Sequence, residues 1–128
     1  MEKPVLYNSN MGFEYQQWKG EIAFWKDELI SFNNKLSELI TRWENKEVLA
    51  QIGHYQKRFV FQGDAIEDLL ELIKQQETHI SAQREAGTLM QDTKLSKKHI
   101  EIRNQMEMQR EISAELKKDF FRFLEKYL

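Results

Sequence analysis

Three histidines, a tyrosine and a set of glutamines hold most of the chemistry open to this chain, because it has no cysteine. The first question is whether His54, His79 or His99 could ligate a metal. Carboxylate-bridged di-iron bundles need Glu-x-x-His on two helices, and helical zinc sites pair histidines four residues apart. Here the positions four after the histidines hold Arg58, Gln83 and Arg103, and those three before hold Gln51, Gln76 and Ser96. No histidine has a second ligand at that spacing on its own helix, so no metal and no cofactor is expected.

Catalytic signatures are equally scarce. The sequence has no glycine-rich phosphate loop, no Gly-x-Ser-x-Gly elbow and no thiol nucleophile. Its carboxylate run of Asp64, Glu67, Asp68 and Glu71 reads as a solvated face. The chain is therefore expected not to be an enzyme. What remains is a polar layer inside a bundle, built from Tyr15, Trp18, Gln76, His79 and Gln109. Such a layer could hold a small ligand or a metal between helices. Its commoner use is to fix helix register through buried hydrogen bonds, and that use is preferred.

Nucleic-acid binding would rest on KLSKK (94–98) with Arg103 and Arg110, groups able to grip phosphates. Glu101, Glu107 and Glu111 interrupt that cluster, no helix-turn-helix or stacking aromatics accompany it, and the formal net charge is −2. A nucleic-acid partner is disfavoured. The segment LKKDFFRFLEKYL (116–128) says more. Phe121, Leu124 and Leu128 stand off the core stripe, with Lys117, Lys118, Arg122 and Lys126 between them. A membrane-surface helix has this composition, but a protein contact is the preferred reading. Phe24, Ile30, Ile100 and Met108 also stand off their stripes. Self-association, as a dimer with twofold symmetry, is the expectation.

The elements that must position these residues follow from periodicity. Tyr15, Trp18, Ile22, Trp25, Leu29, Phe32, Leu36, Leu39 and Trp43 alternate steps of three and four, the mark of an amphipathic helix. The first helix is predicted at 12–44, roughly 48 Å long. ENKE (44–47) then breaks the phase as a tight turn, with Asn45 suited to the left-handed conformation that ends helices. A second stripe runs from Val48 through Phe59, Gln62, Ile66 and Leu69 to Ile80, and keeps its phase across Gly63. The second helix is therefore predicted as continuous over 46–87. A loop at 88–96 offers Asp92 or Ser96 as the next N-cap. The third stripe, Leu95, His99, Ile102, Met106, Gln109, Leu116, Phe120, Phe123 and Tyr127, predicts a helix over 95–127.

These pieces predict an all-α fold: one antiparallel, up-down-up bundle of three long helices spanning 1–128. Residues 1–11 form a tail that either packs along the longer second helix or stays mobile. The pairing places Gln76 near Gln109, with Tyr15 and Trp18 at the same level. Hydrophobic residues make up 41% and charged residues 31%, and no apolar run reaches the roughly 20 residues of a spanning helix. With no signal-peptide pattern and no cysteine, a cytoplasmic location is expected.

WKGEIAFWKDELISF (18–32) and HYQKRFVFQGDAIEDL (54–69) resemble a group of small uncharacterised bacterial helical-bundle proteins. The resemblance covers about a third of the chain. It implies a helical bundle and carries no activity onto any residue. The expected function is a non-enzymatic interaction or scaffold module.

Overall fold

The computed structural model describes residues 9–87 and 93–128. They form α1 (Ser9–Arg42), α2 (Lys46–Glu85) and α3 (Thr93–Tyr127), with no strand among the described residues. Lys19 pairs with Glu77 and Lys26 with Glu67, so α1 and α2 run antiparallel. Gln62 meets Gln109 and Tyr55 meets Asp119, which sets α2 antiparallel to α3. The result is the predicted all-α, three-helix bundle.

Its ends differ from the prediction in informative ways. α1 begins at Ser9, and Met11 is already buried in the core, so the expected tail of 1–11 is shorter; residues 1–8 lie outside the described residues. Asn45 does not take a left-handed conformation. It sits extended at φ −61° and ψ 126°, and its Oδ1 accepts from the N–H groups of Glu47 and Val48. The asparagine starts α2 instead of ending α1, because a short polar side chain can satisfy otherwise orphaned helix N–H groups. Ser96 is likewise no cap. It is buried inside α3, which starts at Thr93, and Asp92 lies outside the described residues. α2 ends at Glu85, and Gly87 at φ 73° takes the left-handed position after it.

The three stripes point inward as their spacing requires. One core cluster gathers Tyr15, Trp18, Ile22, Ile66, Ile73, Ile102 and Met106 towards the α2–α3 connection. The other, around Phe32, Leu36, Leu39, Phe59 and Phe120, fills the end near the α1–α2 turn, and Leu29 packs against both. The second cluster is rich in aromatic rings, with Phe59 edge-on to Phe120 at 5.0 Å between ring centres. Two polar tips find carbonyls there: Trp43 Nε1 donates to Tyr127 O at 2.9 Å, and Tyr55 Oη to Asp119 O at 3.2 Å. Aromatic residues can thus lie at the bundle end without leaving a buried N–H or O–H unpaired.

The seam between the parallel helices α1 and α3 is held differently. Glu14 pairs with Arg103, Glu21 with Arg110, and Glu28 with Lys117, at 2.7, 2.6 and 2.7 Å. Each side of this ladder repeats every seven residues, so parallel heptads keep it in step. Each rung is partly exposed and is worth about 0–1 kcal/mol at most. Its value lies in register, since a slide by any step other than a heptad would part the acids from the bases.

Gly63 lies within α2 without a break, as the continuous stripe predicted. It does not open on a neighbouring backbone. A Cβ built there would meet only the Leu29 side chain, at 3.8 Å, which is ordinary van der Waals contact. Gly63→Ala is therefore expected to stabilise the chain by about 0.5–1 kcal/mol, through helix propensity alone. A higher urea midpoint with unchanged slope would show this; a lower midpoint would mean that the α1–α2 contact is tighter than 3.8 Å allows.

Candidate functional site

The polar groups of the core fall into two layers, and His99 organises the first. Its place on the α3 stripe puts it among Tyr15 and Trp18 of α1, with no exposed surface. The ring nitrogens are both engaged: Nδ1 lies 2.7 Å from Tyr15 Oη and Nε2 lies 2.9 Å from Glu14 Oε1. A carboxylate only accepts, so Nε2 carries the proton. Nδ1 then accepts from the Tyr15 hydroxyl, and the neutral ring satisfies both neighbours. Arg103 closes the far end with a two-pronged grip on Glu14, at 3.1 Å from Nε and 2.7 Å from Nη2. Its Nη2 is 3.3 Å from His99 Nε2, but two donors face each other there and no bond forms. Trp18 stacks at a tilt against the imidazole, 5.2 Å between centres.

Gln76 belongs to the same end of the bundle. It is buried, and its Nε2 donates to Leu95 O at 2.7 Å, tying α2 to the first turn of α3. Gln109 does not join it. Gln109 Nε2 donates to Gln62 Oε1 at 2.8 Å and to Ser113 Oγ at 3.0 Å, in a second layer further along α3. Ten residues separate His99 from Gln109, roughly 15 Å of helix. The expected single level of Tyr15, Trp18, Gln76, His79 and Gln109 is therefore split. Tyr15, Trp18 and Gln76 are at one end with His99; Gln109 is in the second layer; His79 is exposed.

The cause is register. Gln62, fourteen residues before Gln76 on α2, is the residue opposite Gln109. α2 runs on to Glu85, nine residues past Gln76, while α3 starts at Thr93, two before Leu95. The hairpin is thus lopsided, and a symmetric connection gave the wrong pairing. His99 went unassigned for a related reason: its partners come from a different helix. Arg103, one turn after it, was the available signal.

Charge in this network is set by burial and by pairing together. Burial drives the His99 imidazole below its ordinary value, more strongly than the Glu14 hydrogen bond and charge raise it, and the Arg103 charge lowers it further. Burial also raises the Glu14 carboxyl, but hydrogen bonds and charges from Arg103 and His99 outweigh that, and the net shift is downward. Among the described residues, no buried side-chain nitrogen or oxygen lacks a partner. No group of three or more His, Asp or Glu side chains is placed to hold a metal ion among them either. The His99 layer can fix the α1–α3 fit; neither ring nitrogen is left to coordinate anything.

Beside the first layer, Leu72, Gln76, His79, Gln83, Lys94 and Leu95 line a cleft of about 470 Å³. A second cleft, about 510 Å³, lies between α1 and α3 near the other end of the bundle. Phe121, Leu124 and Leu128, which the sequence grouped, all line it, together with Ser31, Lys35 and Glu125. Phe121 stands edge-on to Phe32 at 5.8 Å and stays 44% exposed. The Lys117 ammonium lies 5.9 Å from the Phe24 ring centre and 5.7 Å from that of Phe121. Phe24, Ile30 and Met108 are exposed as expected, whereas Ile100 is half-buried.

No family model, curated protein or solved structure matches the chain. No helix among the described residues is long and apolar enough to cross a membrane.

The His99 layer makes stability sensitive to acid. His99 is neutral when folded and its folded pKa lies below 6.5, so the unfolded chain binds the extra proton first. Stability should fall as the pH drops below about 6.5. Glu14, held below 4.5, adds a loss at lower pH, when the carboxylate is protonated. His99→Gln keeps a donor and an acceptor without titrating near neutrality, and is expected to flatten the profile between pH 7 and 5 in thermal melts. Tyr15→Phe leaves His99 Nδ1 buried without a donor and should cost about 1–3 kcal/mol in urea unfolding.

Proposed function

We propose that the chain is a non-enzymatic helical interaction module that self-associates and offers apolar surface to protein partners. The observation that supports this most is the distribution of large apolar side chains outside the core. Phe13, Phe24, Ile30, Val60, Phe61 and Met108 are all more than half exposed. Phe121 and Leu128 edge a cleft between helices, where a partner's apolar side chain would lose water on several sides at once. Burying such groups is worth about 25 cal/mol per Å² of apolar surface, a gain that the isolated chain leaves unused. The seven-residue repeat of the core stripes, of the kind found in coiled coils, gives such a module rigid helical faces. A cytoplasmic setting and kinship with small bacterial helical bundles belong to the same proposal.

Light scattering across a concentration series tests it. The expected result is a mass that rises above the 15.4 kDa of one chain. A strict monomer at every concentration would remove self-association from the reading.

The cleft at Gln76 and His79 supports a second reading, in which the bundle holds a small ligand. Lys94, Lys98 and His79 surround an apolar floor that includes Leu72, Ala82 and Leu95, a lining suited to an amphipathic anion. A ligand specific to the folded state must raise the melting temperature. A thermal-shift series of medium-chain carboxylates, run on the wild type and on Leu72→Glu, should show a rise that the variant loses. No rise with any of them would count against the second reading.

A further inference from the structure

Val60 and Phe61 are the two most exposed large apolar residues among those described, at 65% and 72%. They stand on the outer side of the first half of α2, in a shallow depression lined also by Gly53, Gln56, Lys57 and Asp64. α1 and α3 occupy the other side of this helix. Gly53 adds no side chain, and nothing lies within 4 Å of where its Cβ would be, so a second helix is not held away there.

The charges around this apolar pair follow a pattern. Lys57 lies three residues before Val60 and Asp64 three after Phe61. Neither makes an ion pair within the chain among the described residues. The arrangement is self-complementary. If a second α2 lies antiparallel across the first, centred between Val60 and Phe61, Lys57 of each copy falls level with Asp64 of the other. The rest of the helix agrees. Residues 46–58 carry Lys46, Lys57 and Arg58 against Glu47, and 64–74 carry Asp64, Glu67, Asp68 and Glu71 against Lys74; Arg58 and Glu67 already pair with Asp119 and Lys26 within the chain, and the others keep the same bias. An antiparallel partner sets the basic half against the acidic half twice over. A parallel one sets like against like.

We propose that the outer face of α2 around Val60 and Phe61 is a twofold contact between two copies of this chain, closed by reciprocal Lys57–Asp64 pairs. This inference rests on the self-association proposed above and assigns it a face. Centred between Val60 and Phe61, two antiparallel α2 helices overlap over residues 46–75, roughly 45 Å, a contact that approaches the ~800 Å² per partner of a stable interface. Val60 and Phe61 supply the desolvated centre, while the ion pairs fix direction and register more than they add affinity. The C-terminal cleft at Phe121 is left free for a different partner.

A charge swap on the full chain tests the face, read by sedimentation at several concentrations. Lys57→Asp and Asp64→Lys each set like charges opposite one another and should weaken the dimer at least tenfold. The double variant Lys57→Asp/Asp64→Lys restores opposite pairs and should recover the wild-type constant. Phe61→Asp should leave a monomer with the helical circular dichroism of the wild type, and Phe121→Glu should leave the dimer intact. A dimer indifferent to all three α2 changes but lost on Phe121→Glu would overturn the α2 face and keep self-association. A wild type that never dimerises would overturn both. A monomer captured by anionic vesicles in a Phe61-dependent way would assign the face to a lipid surface and overturn the proposal.

Discussion

The position of α3 along the other two helices is the constraint on which most of this structure depends, and apolar packing alone does not fix it. All three core stripes repeat about every seven residues, so sliding one helix by a heptad would again set apolar residues against apolar residues. Polar groups remove that degeneracy. Gln62 meets Gln109 in one layer, and Gln76 reaches Leu95 O near the other end. A slide of seven residues would part Gln62 from Gln109, at about 1–3 kcal/mol for an amide group left unsatisfied. Against a net stability of roughly 5–15 kcal/mol for a domain, that is enough to select one register. Buried glutamines thus act here as asparagine does at core positions of coiled coils.

Once α3 is placed against α2, its fit to α1 is settled by a second set of contacts. The Glu14–Arg103, Glu21–Arg110 and Glu28–Lys117 rungs recur at the heptad spacing of the parallel seam. Individually they are weak. The first differs from the others because His99 inserts beneath it and joins Glu14 to the Tyr15 hydroxyl. That one rung is anchored in the core, and the remaining two continue its register outward. The same imidazole that makes the seam specific also makes it acid-sensitive, since protonation removes the lone pair that accepts from Tyr15.

Much of the fold was legible in the sequence, and less of the site. The stripes identified the buried face of each helix, and the unbroken phase across Phe59, Gln62, Ile66 and Leu69 correctly denied Gly63 a turn. Those features are local: a helix's own periodicity reports its own buried side. Asn45 was misread because the same residue suits both the end of one helix and the start of the next, and only its backbone angles decide. Gln76 and Gln109 were paired wrongly because pairing depends on how two helices slide past one another, which a seven-residue repeat does not encode. The Phe121, Leu124 and Leu128 group came out together because one helix face carries it whole.

The split between interior and exterior bears on what kind of protein this is. Inside, the polar groups that a ligand would need are spent on one another: both nitrogens of His99, the amide nitrogens of Gln76 and Gln109, and the carboxylate of Glu14. Binding within the core would have to break those bonds before making new ones, and each costs more to leave open than it gains when formed. The exterior has the opposite character. Phe61, Val60, Phe24 and Phe121 have apolar surface still in contact with water, and Lys57 and Asp64 still have counter-charges to meet. Free energy is therefore available at the surface, for association, and little of it within. That contrast supports the function proposed above, a rigid carrier of faces, over that of a container.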